Sequence, residues 1–280
     1  MRVGIGLPNA VPGTEGSALL EWAIRAERGP FSSLGVLDRV RYESFDPFVA
    51  LGAAAAVTSR VRLVTMVAIG PLRPTALLAK QAASLDEISG GRLILGLAIG
   101  ARQDDYLAAG VEHRGRGRRF AEQLATLRTH WEEGRLAPRV DRRVGPRLLA
   151  GGLGGEAFAR MARFADGYVH GGGPPRAFAG AVARAWAAWR DLGRTGRPAL
   201  WGQGYFALGP DAPESGRAYL VDYYAFTGPF AEKVAAANLV TPQAVRDFVR
   251  GYEEAGCDEL VLLPTVSDPS EVDRLAEVLS

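Results

Sequence analysis

Eight short apolar runs rich in β-forming residues recur along the whole of this 280-residue chain, at residues 2–8, 34–38, 61–70, 92–100, 147–151, 167–171, 199–208 and 259–265. They are apolar nearly throughout instead of alternating, as parallel strands covered on both faces must be. Between them lie helical patterns with legible starts. Asp46-Pro47 and Thr241-Pro242 each place a capping side chain before a proline at the first helical position. The stripe Phe158, Met161, Ala162 and Ala165 gives its helix one face to bury, as does Val245, Phe248, Val249 and Tyr252. Eight strand-helix units in a chain of this length predict an α/β fold: a single (β/α)8 TIM barrel over 1–280 instead of an open doubly wound sheet. The arginine-rich stretch 133–146 predicts a long loop between the fourth and fifth units.

Charge narrows the function classes. Thirty-three basic residues stand against 31 acidic ones, a balance that gives no reason to expect a nucleic-acid or membrane partner for the whole molecule. The opening MRVGIGLPNA lacks the apolar segment of a signal peptide, and no apolar run is long enough to span a bilayer. The single cysteine, Cys257, allows no internal disulfide framework, so the cytoplasm is the expected compartment. His113, His130 and His170 are too scattered to predict a metal site.

The stretch LAGGLGGEA (149–157) fits G-x-G-x-x-G/A through Gly152, Gly154 and Ala157. In a dinucleotide-binding unit an acidic residue would end the next strand. Here Asp166 precedes that strand, and Gly171-Gly172-Gly173 follow it. What remains is a glycine loop opening a helix, beside a second glycine loop. Backbone N–H groups at such a helix start suit a phosphate, and glycines let it approach closely.

The run ASLDEISGGRLILGLAIGARQDDYLAAGV (83–111) resembles the segment around the fourth strand of the bacterial luciferase-like superfamily. Residues 35–81 resemble its second and third units, and residues 148–172 its glycine loop followed by AAR.ADG. The resemblance implies a barrel that binds a reduced flavin, FMN or coenzyme F-420. It would oxygenate a small organic substrate with FMN, or pass a hydride to it with F-420. It also implies a homo-oligomer, a dimer by family likeness, and for FMN a separate flavin reductase.

Residue by residue, the resemblance implies a non-prolyl cis peptide at Met66–Val67 beneath the ring. It puts the phosphate on Gly151, Gly152, Leu153 and Gly154, with Gly171 and Gly172 closing the other side and Gly100 as a further cofactor contact; His170, which ends a strand on the presumed active face, is either a further cofactor contact or a satisfied structural hydrogen bond. Asp38 and Arg39 end the second strand and would face the ring's reactive edge. Where some F-420 members have histidine this chain has Arg39, a permanent cation and so an anchor rather than a base; Asp38 would either act there or pair with Arg39. Asp105, with Asp104 before it, matches an acidic family position and is the third catalytic candidate. Two rival readings are a flavin-independent phosphate-binding barrel lyase or isomerase, and an RNA-binding protein using HRGRGRR (113–119). The first lacks a lysine at a strand end, since Lys80 and Lys233 lie in helical stretches. The second lacks interleaved aromatics, and a solvated face, or a clamp for a coenzyme's anionic tail, is the better reading of those arginines.

Overall fold

The computed structural model describes residues 1–134 and 145–280. Its strands are β1 (Arg2–Gly6), β2 (Ser33–Val36), β3 (Arg62–Thr65), β4 (Ala68–Ile69), β5 (Leu93–Ala98), β6 (Arg147–Gly151), β7 (Gly167–Val169), β8 (Ala199–Phe206) and β9 (Glu259–Pro264). They run in the order β3-β2-β1-β9-β8-β7-β6-β5-β4, and β3 also pairs with β5, which closes the sheet. Every neighbouring pair is parallel.

Nine segments make eight barrel strands, because β3 and β4 are two halves of the third. Between the pairs Val64↔Ile94 and Ala68↔Leu97 the broken strand advances four residues against three on its neighbour, the geometry of a bulge. The Met66–Val67 peptide within it is cis, the bond expected from the resemblance. The predicted eight-stranded barrel is therefore the observed fold. The arginine-rich loop expected at 133–146 falls mostly on residues 135–144, outside the described residues.

Helices α1 (Gly16–Arg28), α2 (Pro47–Val57), α3 (Thr75–Ile88), α4 (Gln103–Ala108), α5 (Arg116–Glu132), α6 (Gly155–Phe164), α7 (Pro175–Asp191), α8 (Ala212–Tyr223), α9 (Phe230–Ala235), α10 (Pro242–Glu254) and α11 (Ser270–Leu279) flank the barrel. Two begin as the sequence dictates. Asp46 accepts from the N–H groups of Phe48 and Val49, and Thr241 from that of Ala244.

Alternation along each strand sorts the core into two layers. Leu148, Leu260 and Leu262 point outward to meet Trp22, Phe120 and Phe178 from the helices, whereas Val64, Ile94, Leu149 and Val261 fill the barrel. Each such large side chain contributes roughly 1.5–3 kcal/mol on burial. The apolar barrel interior is a plug, so chemistry is confined to the mouth at the carboxyl ends of the strands.

Candidate active site

A cavity of about 410 Å³ opens at that mouth, within the size range of small-molecule sites. Leu37, Met66, Val67, Ile69 and Val169 give it apolar walls, and Gly151, Gly152, Leu153 and Gly171 form one end. Asp38, Arg39, Gly100 and Asp105 also line it. Most of the expected site residues thus meet in one place. Gly154 sits just outside, at the start of α6, which has no side-chain cap. Gly172, at φ +98°, follows Gly171 in the second loop.

Two glycines are required by geometry. At Gly152 φ is +133°, and a Cβ would stand 2.7 Å from that of Ala157. At Gly100 φ is +68°, and a Cβ would stand 2.6 Å from Ile69 Cγ2. Larger residues would strain the chain and fill the space between the strand ends.

The acidic residues are fully engaged. Asp38 accepts from the N–H of Ile69 at 2.7 Å and from both terminal nitrogens of Arg73, with Nη2 at 3.0 Å. Its partner is therefore Arg73 rather than Arg39, which corrects the expected pairing. Asp38 ends β2 while Arg73 follows the bulged third strand, and their fork-to-fork pair fixes the two strand ends together. Arg73 also reaches Asp46 at 3.2 Å. Burial opposes its charge, yet Asp38 and Asp46 more than offset this and raise its pKa.

Arg39 donates through Nε to Asp105 at 2.8 Å and through Nη2 to Asp104 at 3.2 Å. Asp105 also accepts from the backbone N–H groups of Val40 at 2.9 Å and Arg41 at 2.8 Å. Its carboxylate is fully buried and holds the chain after β2 in place.

His170 lies outside the cavity lining. Val169 faces inward, so strand alternation turns Tyr168 and His170 to the layer beneath α7. The imidazole meets the Tyr168 hydroxyl at 3.1 Å through Nδ1 and the ring of Phe178 edge-on. Burial, with Arg184 nearby, lowers its pKa. So placed, it packs and hydrogen-bonds within that layer, the structural one of its two expected uses.

The opposite wall was not anticipated. Arg102, Tyr205, Tyr223 and Tyr224 complete the cavity. The Arg102 guanidinium lies between the rings of Tyr223 and Phe226, 4.1 and 4.4 Å from their centroids, and donates to the Tyr223 carbonyl. Tyr205 and Tyr224 share a hydroxyl–hydroxyl hydrogen bond of 2.9 Å. Burial raises both their pKa values, so both hydroxyls stay protonated at neutral pH. Tyr205 was within reach of sequence reading, since Trp201, Gln203 and Tyr205 alternate along β8. Tyr223 and Tyr224 come from the end of a helix, where no periodicity marks a cavity.

The chemistry of this cavity fits a phosphorylated flat cofactor. Glycines of two loops, with an uncapped helix start, suit an anion, and a Cβ at Gly171 would meet no protein atom within 4 Å. Apolar walls suit a ring. No group of three or more His, Cys, Asp or Glu side chains able to hold a metal occurs among the described residues. No helix among them is long and apolar enough to cross a membrane.

A family model described as luciferase-like monooxygenase matches residues 1–256. An uncharacterised protein of Mycobacterium tuberculosis is 35% identical over 164 residues, covering 54% of this chain and 56% of that protein. The FMNH(2)-dependent dimethylsulfone monooxygenase of Pseudomonas putida is 26% identical over 226 residues, covering 72% of this chain and 61% of its own. The matches to these relatives thus span between half and two thirds of their length. Among solved structures, an F-420-dependent secondary alcohol dehydrogenase in complex with an F-420-acetone adduct shares the fold. Its TM-score is 0.78 at 17% identity, over 99% of this chain and 97% of its own. With the matched model spanning nearly every element that builds the cavity, the chain belongs to the luciferase-like monooxygenase family.

Proposed function

We propose that this chain binds a reduced flavin, FMN or coenzyme F-420, in the cavity at the barrel mouth and uses it to oxidise or reduce a small organic substrate. The observation that carries this reading is the union, in one cavity, of the Gly151–Leu153 and Gly171 cradle with the apolar walls around Met66 and Val67. The Pseudomonas putida relative is FMNH(2)-dependent and the dehydrogenase of like fold is F-420-dependent, so both cofactors are carried forward.

When bound, the cofactor supplies the electrons, for oxygen insertion in the FMN case and as hydride in the F-420 case. The chain positions and shields. Backbone N–H groups of the glycine loop and the start of α6 hold the phosphate, while Leu37, Met66 and Val67 hold the ring and exclude water. Asp38 and Asp105 keep the strand ends rigid through Arg73 and Arg39. The Tyr205–Tyr224 pair supplies a protonated donor facing the cavity, suited to a substrate oxygen. A separate reductase belongs to the FMN version of this reading, and a dimer is the assembly proposed for either.

Anaerobic titration of the purified protein with reduced FMN and with reduced coenzyme F-420, followed by calorimetry, tests the reading. Saturable binding of one or both at a single site is expected; heat changes no larger than dilution for both would overturn it.

A further inference from the structure

Arg39 and Arg102 are both buried and both line the cavity, yet their charges are compensated in opposite ways. Arg39 has the carboxylates of Asp104 and Asp105. Arg102 directly precedes α4, the helix that carries those two acids, but has no carboxylate partner among the described residues. Its one acceptor among them is the Tyr223 carbonyl, reached through Nη2, and Nη1 is buried with no hydrogen-bond partner. Arg116, the third arginine of the lining, also lacks a carboxylate, but it is less buried and donates to the carbonyls of Gly100 at 3.3 Å and His113 at 3.4 Å.

The surroundings of Arg102 are aromatic. The rings of Tyr223, Phe226 and Tyr224 have their centroids 4.1, 4.4 and 5.8 Å from its guanidinium carbon. Ring faces attract a cation and offset part of the cost of burying it, but they supply no oxygen for its N–H groups. A buried cation without a counter-ion, with an N–H donor left unpaired, is costly to keep. At a cavity wall, a ligand of opposite charge removes that cost. No free acid of the lining opposes such a ligand, because Asp38 is neutralised by Arg73 and Asp105 by Arg39. A neutral donor stands on the same wall: Tyr224, whose ring lies beside the guanidinium, shares its hydroxyl with Tyr205 at 2.9 Å.

We propose that Arg102 takes the carboxylate of an acidic organic substrate and so sets the substrate class of this cavity. The proposal rests on the reading of the cavity as a flavin site, and it adds to that reading the charge of the molecule that reacts there. A planar guanidinium matches a planar carboxylate better than a lysine would. With the carboxylate at Arg102, the Tyr205–Tyr224 pair is left to receive a second oxygen of the same molecule.

Benzoate and benzamide, alike in shape and different in charge, test this by calorimetry at neutral pH on the native protein, with and without reduced cofactor. A charge-assisted contact predicts that the native protein binds benzoate at least about tenfold tighter than benzamide. Arg102→Met keeps the length of the side chain without its charge; it should bind the two probes alike and bind reduced FMN or coenzyme F-420 as the native protein does. Arg102→Lys should retain part of the preference, and Arg116→Gln all of it. Equal native affinity for the two probes, or binding of neither, would overturn the carboxylate site while leaving the flavin reading standing. So would an Arg102→Met protein that keeps the preference, or one whose cofactor affinity falls as far as its affinity for benzoate, because Arg102 would then serve the cofactor. Failure of the native protein to bind either cofactor would overturn the flavin reading itself, and the benzoate preference of the unloaded protein would still decide whether Arg102 holds a carboxylate.

Discussion

Arg39 Nε lies 2.8 Å from Asp105 Oδ2, with the two side chains 6% and 0% exposed, although 66 residues separate them in sequence. The pair ties the end of the second barrel strand to the start of α4. Breaking the pair leaves the buried Arg39 charge with only the exposed Asp104 and the Arg41 carbonyl for partners, and two N–H groups lose their acceptor as well. Asp105→Ala is expected to cost about 3–5 kcal/mol in denaturant unfolding, and Asp105→Asn less, because its amide oxygen still accepts from Val40 and Arg41. A loss under about 1 kcal/mol for Asp105→Ala would show the pair to be structurally idle.

The barrel was legible because a parallel strand buried on both faces has no room for polar alternation. Residues 147–151 were read to the residue, and the other strands to within a few positions at their ends. The glycine loops were legible for a similar reason: few other residues tolerate such backbone positions. What could not be read was the partner of each charge. Nothing in the order of Asp38, Arg39 and Arg73 says that Asp38 reaches past its neighbour to Arg73, since that follows from the bulge in the third strand. The choice between the two uses of His170 was not legible because its direction depends on the inward facing of Val169. The Tyr223–Tyr224 wall was missed because α8 folds back over the mouth, and long-range packing of that kind leaves no local trace.

The lowered pKa of His170 makes stability depend on pH. Above its ordinary value of 6.5 the imidazole is neutral both folded and unfolded, and its contribution is complete. As pH falls through that value the unfolded chain takes the proton first, so stability drops until the lowered folded pKa is passed. The slope from this group is at most about 1.4 kcal/mol per pH unit. His170→Gln should therefore lose less stability than the native protein between about pH 7 and pH 5.5. Parallel unfolding curves at the two pH values would refute the assignment.

Cys257 should be inert in the native state. Burial pushes its thiol up to about 12, and Sγ lies 3.1 Å from the Glu259 carbonyl oxygen. Only the thiolate attacks, so a disulfide-exchange reagent should label nothing in the folded protein and one thiol per chain in denaturant. Rapid native labelling at neutral pH would contradict the burial.

Gly152 and Gly171 should separate folding from binding. Gly152 holds φ +133° with Ala157 Cβ in the way of any side chain, so Gly152→Ala strains the native backbone and should cost roughly 1–3 kcal/mol of stability whether or not a cofactor is present. Gly171 differs. Its φ is not positive, a Cβ there meets nothing within 4 Å, and it lines the cavity. Gly171→Asp should therefore leave the unfolding midpoint close to that of the native protein while setting a carboxylate beside the proposed phosphate. Like-charge repulsion at close range then predicts at least about a tenfold loss of affinity for FMN or coenzyme F-420, whichever binds. Gly171→Ala provides the uncharged control and should fall between the two. A Gly171→Asp protein that binds its cofactor as tightly as the native one would place the phosphate elsewhere in the mouth and leave the Gly152 loop with a purely structural task.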